Sequence, residues 1–308
     1  MTGKRIAEYF VVDCHTHYFS PQIFARVAQA LGSTPVEGYS STVEDTLAIM
    51  EKDGIAKAVL LNFMPTAQMK DDALRKLPSG LPDYQEAEAD INRTIIDRVI
   101  RNNLRACEIS IEHPNLISFI SVDPIMTPQQ MKQEILDKVK NYGAKGMKLN
   151  PGMCRYFPYD RRLWPAYELA QEIDLPVASQ SFMCAGPTQY SEPKYYGDVL
   201  SAFPKLRLVL THSGMPFWDE TKALAKAYPN VYFDMSLTLC EESEGALSNA
   251  EFISLVREVG VERFVYGSSF PWHERAPVLN RIFGMDLREG EKRAIFAENA
   301  LRICKIPR

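Results

Sequence analysis

The sequence lacks the features that mark nucleic-acid-binding and membrane proteins. Lys and Arg (35) do not outnumber Asp and Glu (39), so the net charge is -4 and there is no basic footprint for nucleic acid or an anionic membrane surface. No apolar run approaches the roughly 18 residues of a membrane span, and no apolar segment with a small-residue cleavage site follows the first residues, so no signal peptide is expected. We therefore expect a small-molecule substrate, and no nucleic acid or membrane partner.

Paired cysteines, linkers and repeats are also absent. The six cysteines are scattered without paired spacing, which in a chain of 308 residues suits a reducing compartment such as the cytoplasm better than a disulfide framework. No linker composition, low-complexity tract or long repeat marks a domain boundary. Hydrophobic residues make up 46% of the chain, which is enough for a sizeable core. The sequence thus predicts one domain over residues 1–308.

The chain alternates short β-branched runs with longer helical patterns. Eight strands are predicted, over residues 10–17, 57–63, 117–124, 146–150, 176–181, 206–212, 231–236 and 263–269. Helical segments lie between them; one is STVEDTLAIMEKDG, where Ser41 and Glu44 could form a capping box and Gly54 could end the helix. Eight βα repeats in unbroken order favour a (β/α)8 barrel, an α/β fold of TIM-barrel type.

Two stretches break this alternation. Residues 64–84 follow the second strand and contain three prolines, and residues 182–197 follow the fifth strand. We expect each to be an irregular insertion at the C-terminal mouth of the barrel, where the loops after the strands build active sites. Both are candidate lids, and inert surface loops are the competing interpretation.

Two histidines end the first predicted strand, in the stretch VVDCHTHYF. Because successive strand residues alternate between faces, His15 and His17 should both point into the barrel mouth, while Cys14 and Thr16 face the helices. Two imidazoles in one small volume are costly unless they share a metal, a proton or a substrate anion. A structural role for the pair is the alternative, because an H-x-H motif alone is weak.

Further short motifs follow at the strand ends, and together they carry a family resemblance. They are SVDP, GMKLNP, DLPVASQS, LRLVLTHSG, VYFDMS and FVYGSSFPW, followed by the closing helix IFAENALRIC. In this order and spacing they resemble the amidohydrolase superfamily, and more closely the amidohydrolase-related branch that includes aminocarboxymuconate-semialdehyde decarboxylase and the resorcylate-type decarboxylases. The resemblance covers nearly the whole chain and implies a barrel enzyme that is a hydrolase or a lyase.

The resemblance also implies a set of site residues. In this family two strand-1 histidines, a strand-5 histidine and a strand-8 aspartate usually hold a metal, and a strand-6 histidine acts in acid or base chemistry. His15 and His17 match the first pair, and His212 matches the strand-6 residue. The strand-5 position is Gln180 and the strand-8 position is Ser269. A neutral amide oxygen and a hydroxyl are poorer ligands than imidazole and carboxylate. We therefore expect no tightly bound cofactor, although zinc or another divalent metal on His15 and His17 stays open.

Three more residues are candidates for substrate binding. Lys148 ends the fourth strand, where some members of the wider superfamily carry a metal-bridging carboxylated lysine; a structural or anion-binding role is the alternative. Arg155 follows the same strand and could hold a substrate carboxylate, and His273 follows the eighth and could reach the mouth. Surface placement competes with both.

Three further residues have side chains suited to other roles. Cys184 could offer a thiolate, but nothing near it in sequence lowers its pKa. Asp123 and Asp234 end strands 3 and 7, where they could orient helix ends, hydrogen-bond neighbouring loops or take part in catalysis.

Three functional interpretations remain open. In the first, His212 is the general acid or base, and His15, His17, Gln180 and Ser269 bind a small carboxylated or cyclic substrate for hydrolysis, decarboxylation or hydration without a metal. In the second, an altered ligand shell holds a metal for a decarboxylase or hydrolase. The third is a non-catalytic ligand-binding barrel. A homodimer is expected only by family analogy.

Overall fold

Eight parallel strands in chain order form the centre of the protein, in a computed structural model that describes residues 8–19, 21–31, 34–182 and 188–308. The strands are β1 (Val12–Thr16), β2 (Lys57–Leu61), β3 (Leu116–Ser121), β4 (Gly146–Leu149), β5 (Val177–Gln180), β6 (Leu208–Thr211), β7 (Val231–Asp234) and β8 (Phe264–Val265). Backbone hydrogen bonds from Cys14 to Tyr266 and from His17 to Phe270 join β1 to the segment that contains β8. The predicted (β/α)8 barrel is confirmed.

Helices surround the strands and are numbered along the chain. They are α1 (Pro21–Leu31), α2 (Val43–Asp53), α3 (Thr66–Leu74), α4 (Tyr84–Glu112), α5 (Pro128–Tyr142), α6 (Pro151–Cys154), α7 (Trp164–Glu172), α8 (Gly197–Ala202), α9 (Trp218–Ala227), α10 (Asn249–Val259), α11 (Arg275–Gly284), α12 (Glu289–Arg293) and α13 (Asn299–Ile303). Short 3-10 turns and one π-helical turn, Ala294–Glu298, complete the order. No helix in the described part of the chain has both the length and the apolar character to cross a membrane.

The barrel interior is packed from below by the C-terminal helix. Val12, Cys14 and inward residues of the other strands form one apolar cluster with Ile303 and Cys304. The expectation that Cys14 faces the helices is therefore wrong, whereas Thr16 does lie outside and bonds to Asp13. The cause is a register shift between Asp13 and Thr16 in the β1–β2 pairing, which breaks the simple alternation.

The end signals of α2 are partly as predicted. Gly54 adopts a left-handed conformation (φ 72°) and ends the helix, as expected. The N-cap, however, is Thr42, whose hydroxyl accepts from Asp45 N–H, so the predicted capping box of Ser41 and Glu44 is wrong. Ser41 instead donates its hydroxyl to the carbonyl of Phe19 at 2.5 Å. Ser41 and Thr42 both carry a hydroxyl that suits an N-cap, and a shift of one residue along the chain separates the predicted cap from the observed one.

The two segments predicted as irregular insertions are more ordered than expected. Residues 64–84 contain the whole of α3, so the expectation of irregular structure there is wrong over Thr66–Leu74. Residues 182–197 contain the 3-10 turns Thr188–Tyr190 and Pro193–Tyr196. Cys184 lies outside the described residues. A lid function for either segment stays a prediction.

Candidate active site

The three histidines predicted for the site come together at the C-terminal end of the barrel. His15 Nε2 lies 3.1 Å from His17 Nε2, and the ring centroids of His15 and His212 are 4.8 Å apart. All three side chains are buried. His212 follows β6 in a left-handed backbone conformation (φ 59°), which turns the chain sharply at the strand end. The structure thus brings together the catalytic candidates.

Asp234 at the end of β7 binds His15 most closely. Its Oδ2 lies 2.5 Å from His15 Nδ1, and both side chains are at most 1% exposed. Burial raises the pKa of Asp234, against the lowering effect of the nearby His212. Asp234 was weighed only as one of two strand-end aspartates and was not among the expected site residues. The signal for it is strand alternation, which places it on the same inward face as Tyr232.

Ser236 joins His15 to His212 and was missed entirely. Its hydroxyl lies 2.9 Å from Nδ1 of each ring, and its carbonyl oxygen lies 3.3 Å from His212 Nδ1. With its proton on Nδ1, His212 would donate to this carbonyl and keep Nε2 free; the nearer hydroxyl can accept from Nδ1 or donate to it. Burial lowers the pKa of His212 well below its usual value, so the ring is neutral near pH 7.

The proton positions on the first two histidines depend on Asp234. His17 Nδ1 lies 2.8 Å from the carbonyl of Leu61, so it must donate and its Nε2 is a lone pair. If Asp234 is protonated, it donates to His15 Nδ1, and His15 donates through Nε2 to His17. If Asp234 is ionised, His15 donates to it, and two lone pairs then face each other across 3.1 Å. The second arrangement needs a proton or a metal ion that both Nε2 atoms share.

A buried amine adds positive charge to the same cluster. The side chain of Lys148 on β4 is 1% exposed, and burial lowers the pKa of Lys148 to about 7, against the raising effect of Asp234. Burial lowers the pKa of His15 and of His17, and the charge of Lys148 lowers both further. An amine with a pKa near 7 can exchange its proton at physiological pH.

The remaining predicted site residues are placed less uniformly. Gln180 is buried at the end of β5, where its Oε1 accepts from Gly152 N–H at 3.2 Å. Ser269 is buried beside β1, with its backbone N–H donated to the carbonyl of His15 at 2.8 Å. Ser269 therefore adjoins the histidine cluster through the backbone of His15, whereas Gln180 contacts α6. Their substrate contacts stay predictions.

Arg155 and His273 lie farther out. Arg155 is 44% exposed and pairs with Asp71 of α3 at 2.6 Å, and among the described residues no contact joins it to the histidines. His273 lines a cleft of about 1060 Å³ between the segments after β7 and β8, with its Nδ1 3.6 Å from Cys240 Sγ. Burial lowers the pKa of His273, and its charge contributes to lowering that of His15. His273 is therefore coupled to the site only at a distance.

The donor set fits a divalent metal ion in part. The two Nε2 atoms converge, and each Nδ1 is held by an oxygen, which is how metal-binding imidazoles are usually oriented. Within the described residues, however, no group of three or more His, Cys, Asp and Glu side chains is arranged to hold a metal. His15 and His17 supply two ligands where a catalytic zinc site usually has three.

Aromatic rings enclose the cluster. Phe19 stacks on His17 at a centroid distance of 5.7 Å, Phe63 meets His17 edge to face, and Phe182 lies 4.8 Å from His212. The small interior residue Gly267 completes the packing, because a Cβ there would overlap Oδ1 of Asp234 and crowd His15. The arrangement places acid and base groups next to one another in an apolar surrounding, where a proton can pass between them.

The outer face of β1 is anchored by a buried ion pair. Asp13 Oδ2 accepts from Arg275 Nε at 2.8 Å, and the same guanidinium donates to Thr16 at 3.1 Å. Ser268 N–H and hydroxyl also donate to the Asp13 carboxylate. Both charged side chains are fully buried, so the pair fixes β1 to the segment after β8 directly behind His15.

Comparisons with known proteins agree with the barrel fold. An uncharacterised TIM-barrel protein from Bordetella bronchiseptica matches with a TM-score of 0.72 and 18% identity, over 96% of this chain and 98% of that one. A 2,6-dihydroxybenzoate decarboxylase in complex with 2,6-dihydroxybenzoate matches with a TM-score of 0.71 and 16% identity, over 96% and 99%. A dihydroxybenzoic acid decarboxylase from Polaromonas sp. JS666, with bound manganese and 2-nitroresorcinol, matches with a TM-score of 0.69 and 16% identity. This match covers 97% of this chain and 98% of that one.

No curated protein matches the chain. The family model described as amidohydrolase matches residues 12–305, which is nearly the full length and includes every predicted strand end. With the fold, the histidine cluster and this match in agreement, the chain belongs to the amidohydrolase family and is an enzyme of the hydrolase or lyase type.

Proposed function

We propose that the barrel mouth catalyses proton transfer on a small carboxylated, ring-shaped substrate, with decarboxylation as the leading reaction and hydrolysis or hydration as its relatives. The observation that carries the proposal is the buried hydrogen-bonded chain that runs from His17 through His15 to Asp234 and, through Ser236, to His212. Such a chain relays a proton between a buried carboxyl group and several rings that are neutral near pH 7.

Each group has a role that follows from its charge. His212, neutral with a free Nε2, serves as the general base and returns the proton as the acid. Lys148 in its ammonium form binds the substrate carboxylate, since charge-assisted hydrogen bonds are strong in a buried site. In a decarboxylation of a hydroxybenzoate, the hydroxyl proton passes to His212 Nε2, and the imidazolium so formed protonates the ring carbon that bears the carboxylate. The bond from that carbon to the carboxylate then breaks, its electron pair returns to the ring, and carbon dioxide leaves. The phenolate that remains takes a proton from solvent, and His212 is neutral again.

The aromatic walls set the substrate class. Phe19, Phe63 and Phe182 surround the rings of His17 and His212, which suits a flat apolar body beside the polar reacting group. The similar solved structures were obtained with 2,6-dihydroxybenzoate and with 2-nitroresorcinol, which are also flat rings. Hydroxybenzoates are accordingly the first substrates to test.

A metal-dependent version of the same reaction is the second candidate. It is favoured by the 3.1 Å approach of the two Nε2 atoms and by the manganese in a similar decarboxylase. His15 and His17 would hold the ion, and the ion would supply stabilisation of the negative charge that develops during the reaction. This version requires Asp234 to be ionised.

One experiment separates these candidates. Purified protein is analysed for bound metals and then assayed against hydroxybenzoates, other aromatic acids and lactones, with and without a chelator. The metal-independent version predicts turnover that survives the chelator, and the metal-dependent version predicts turnover that is lost with it and restored by manganese or zinc. Binding of these compounds without turnover would support the non-catalytic alternative.

The matched variants are His212→Ala and His113→Ala. His113 follows the last residue of α4, at the opposite face of the barrel, so His113→Ala removes an imidazole that does not touch the site. We expect turnover to fall by about 100-fold or more in His212→Ala, the usual range for loss of a general acid or base, and to be unchanged in His113→Ala. Equal activity in the two variants would refute the assigned role of His212.

A further inference from the structure

A second cavity lies outside the barrel mouth. It has a volume of about 360 Å³ and is enclosed by α1, by the segment between β2 and α3, and by α4. None of the three site histidines lines it. We call it the arginine cleft, after Arg26 of α1 and Arg98, Arg101 and Arg105 of α4, all of which line it.

The charge of the arginine cleft is of one sign. Arg98, Arg101 and Arg105 are spaced three and four residues apart, which places them on one face of the helix, and Arg26 is contributed by α1. No acidic side chain lines the cleft. Within the described part of the chain, only Arg105 of the four forms an ion pair, with Glu108 at 3.7 Å. Four exposed arginines beside so small a cleft give it a positive potential that attracts an anion.

A buried amide group also lacks a partner at this position. Asn102 lines the cleft and is 8% exposed, yet among the described residues its Nδ2 has no hydrogen-bond acceptor. The next residue, Asn103, shows the contrast: its Nδ2 donates to Ser121 O and to Glu134. An unsatisfied buried donor costs about 1–3 kcal/mol. The Nδ2 atom itself is sealed from solvent, so an acceptor bound in the cleft recovers this cost once the side-chain amide turns toward it.

Apolar side chains form the rest of the wall. Met64 and Met69 line the cleft and pack with Ile95 and Val99 in a separate apolar cluster, and Ile23 covers them from α1. A volume of about 360 Å³ lies within the range of cavities that hold small organic ligands. The combination of apolar wall, arginines and an amide donor suits a molecule with an oxyanion at one end and an apolar body at the other.

We propose that the arginine cleft binds a small amphipathic oxyanion, a carboxylate or a phosphate ester, as a site distinct from the catalytic mouth. The arginines and Asn102 Nδ2 hold the oxyanion, and Met64 and Met69 hold the apolar body. This site does not depend on the proposed function, because binding can be measured without any turnover.

The cleft is also connected to the catalytic strands. Tyr18 and Asn62 line it, and the backbone N–H of Tyr18 donates to Asn62 Oδ1 at 2.9 Å. Each residue directly follows a part of the site: Tyr18 follows His17, and Asn62 follows Leu61, whose carbonyl holds the ring of His17. A ligand in the cleft therefore contacts the residues that directly follow His17 and Leu61 in the chain, and its occupancy should alter turnover at the mouth.

The test is calorimetric titration of the full chain with four probes: benzoate, phenyl phosphate, inorganic phosphate and the uncharged benzyl alcohol. Binding of benzoate or phenyl phosphate but not of benzyl alcohol is the expected result, and tighter binding of one of the two identifies carboxylate or phosphate as the preferred head group. Inorganic phosphate should bind more weakly than phenyl phosphate, since it cannot use the apolar wall. No binding of either aromatic anion would overturn the proposal.

Charge-matched variants on the same helix locate the binding. Arg101→Gln should weaken binding about tenfold, the value of one charge-assisted contact, whereas Arg93→Gln, which removes an exposed arginine paired with Asp90, should change it by less than about twofold. Asn102→Leu should weaken binding without lowering the free energy of unfolding, because it removes an unsatisfied donor. Equal effects of Arg101→Gln and Arg93→Gln would overturn the proposal.

Binding at the catalytic mouth is distinguished by a second variant pair. Benzoate binding that persists in Arg101→Gln but disappears in His212→Ala takes place at the mouth. If this were the only benzoate binding observed, the proposal would fail. Sedimentation of the free protein checks the competing occupant: a dimer that dissociates on Arg101→Gln would show that a second copy of the chain, rather than a small oxyanion, covers the cleft.

Discussion

Replacing Lys148 by methionine is expected to stabilise the protein near neutral pH. The amine is 1% exposed, and its burial lowers the pKa from the usual 10.5 to about 7. Each pKa unit is worth about 1.4 kcal/mol at 25 °C, so this lowering corresponds to about 5 kcal/mol against the charged form in the folded state. Methionine has a similar length and no charge, so Lys148→Met removes most of that penalty.

The size of this stabilisation depends on pH between about 7 and 10.5. Below about pH 7 the amine is protonated in both states, so the wild type carries the whole penalty and the variant is more stable by up to about 5 kcal/mol. Between about pH 7 and 10.5 the unfolded state binds more protons, so wild-type stability rises with pH relative to the variant. Above about pH 10.5 the amine is neutral in both the folded and the unfolded state, so the difference in stability between wild type and variant disappears.

Urea unfolding followed by circular dichroism at about pH 6, 8 and 10 measures this gap. The matched control is Lys140→Met, which removes an exposed lysine near the end of α5 and should leave stability nearly independent of pH relative to wild type. A gap for Lys148→Met that is constant across the three pH values, or a variant less stable than wild type at pH 6, would refute the reasoning. Turnover should fall in the same variant, because the proposed carboxylate anchor is lost.

Three further changes test the surroundings of the site. Arg275→Met should lower the free energy of unfolding by about 3–5 kcal/mol, because it leaves the buried Asp13 carboxylate without its partner. In urea unfolding, the double variant that adds Asp13→Asn should show a smaller decrease. An equal decrease in the single and the double variant would contradict the pairing. Gly267→Ala should reduce turnover by about 100-fold by displacing the carboxylate at the end of β7, and unchanged steady-state kinetics would show that its position is unimportant. Gln180→His with Ser269→Asp should raise zinc content toward one ion per chain in elemental analysis, and unchanged metal content would contradict the strand placement.

The strand order was predictable because its signals are local. Each strand is a short β-branched run followed by a helical pattern, and eight such repeats admit few other architectures. The position of His212 was predictable for the same reason, since the turn after β6 follows the run LRLVLT directly. Local signals failed where two candidates stood side by side, as with Ser41 and Thr42 at the start of α2.

The partners of the histidines were not predictable in this way. Asp234 and His15 are 219 residues apart in sequence, and only barrel closure brings β7 and β1 within hydrogen-bond distance of each other's side chains. Ser236 lies within the predicted strand 231–236, on the same face as Asp234, but β7 ends at Asp234, and alternation alone does not show that the hydroxyl bridges two histidines. The inward placement of Cys14 depends on a register shift, which a period of two cannot show. Which side chains contact the histidines could therefore be read only from the three-dimensional structure.

The Asp13–Arg275 pair has a consequence for how such barrels diversify. It lies on the outer side of β1 and holds β1 to the segment after β8 whatever the inward side chains are. Residues at the mouth can then be exchanged while the backbone beneath them keeps its place. An imidazole replaced by an amide, or a carboxylate by a hydroxyl, becomes a change of chemistry on a constant frame. For protein engineers, the side chains at the mouth are therefore positions where alternative sets of donor groups can be introduced without moving the backbone.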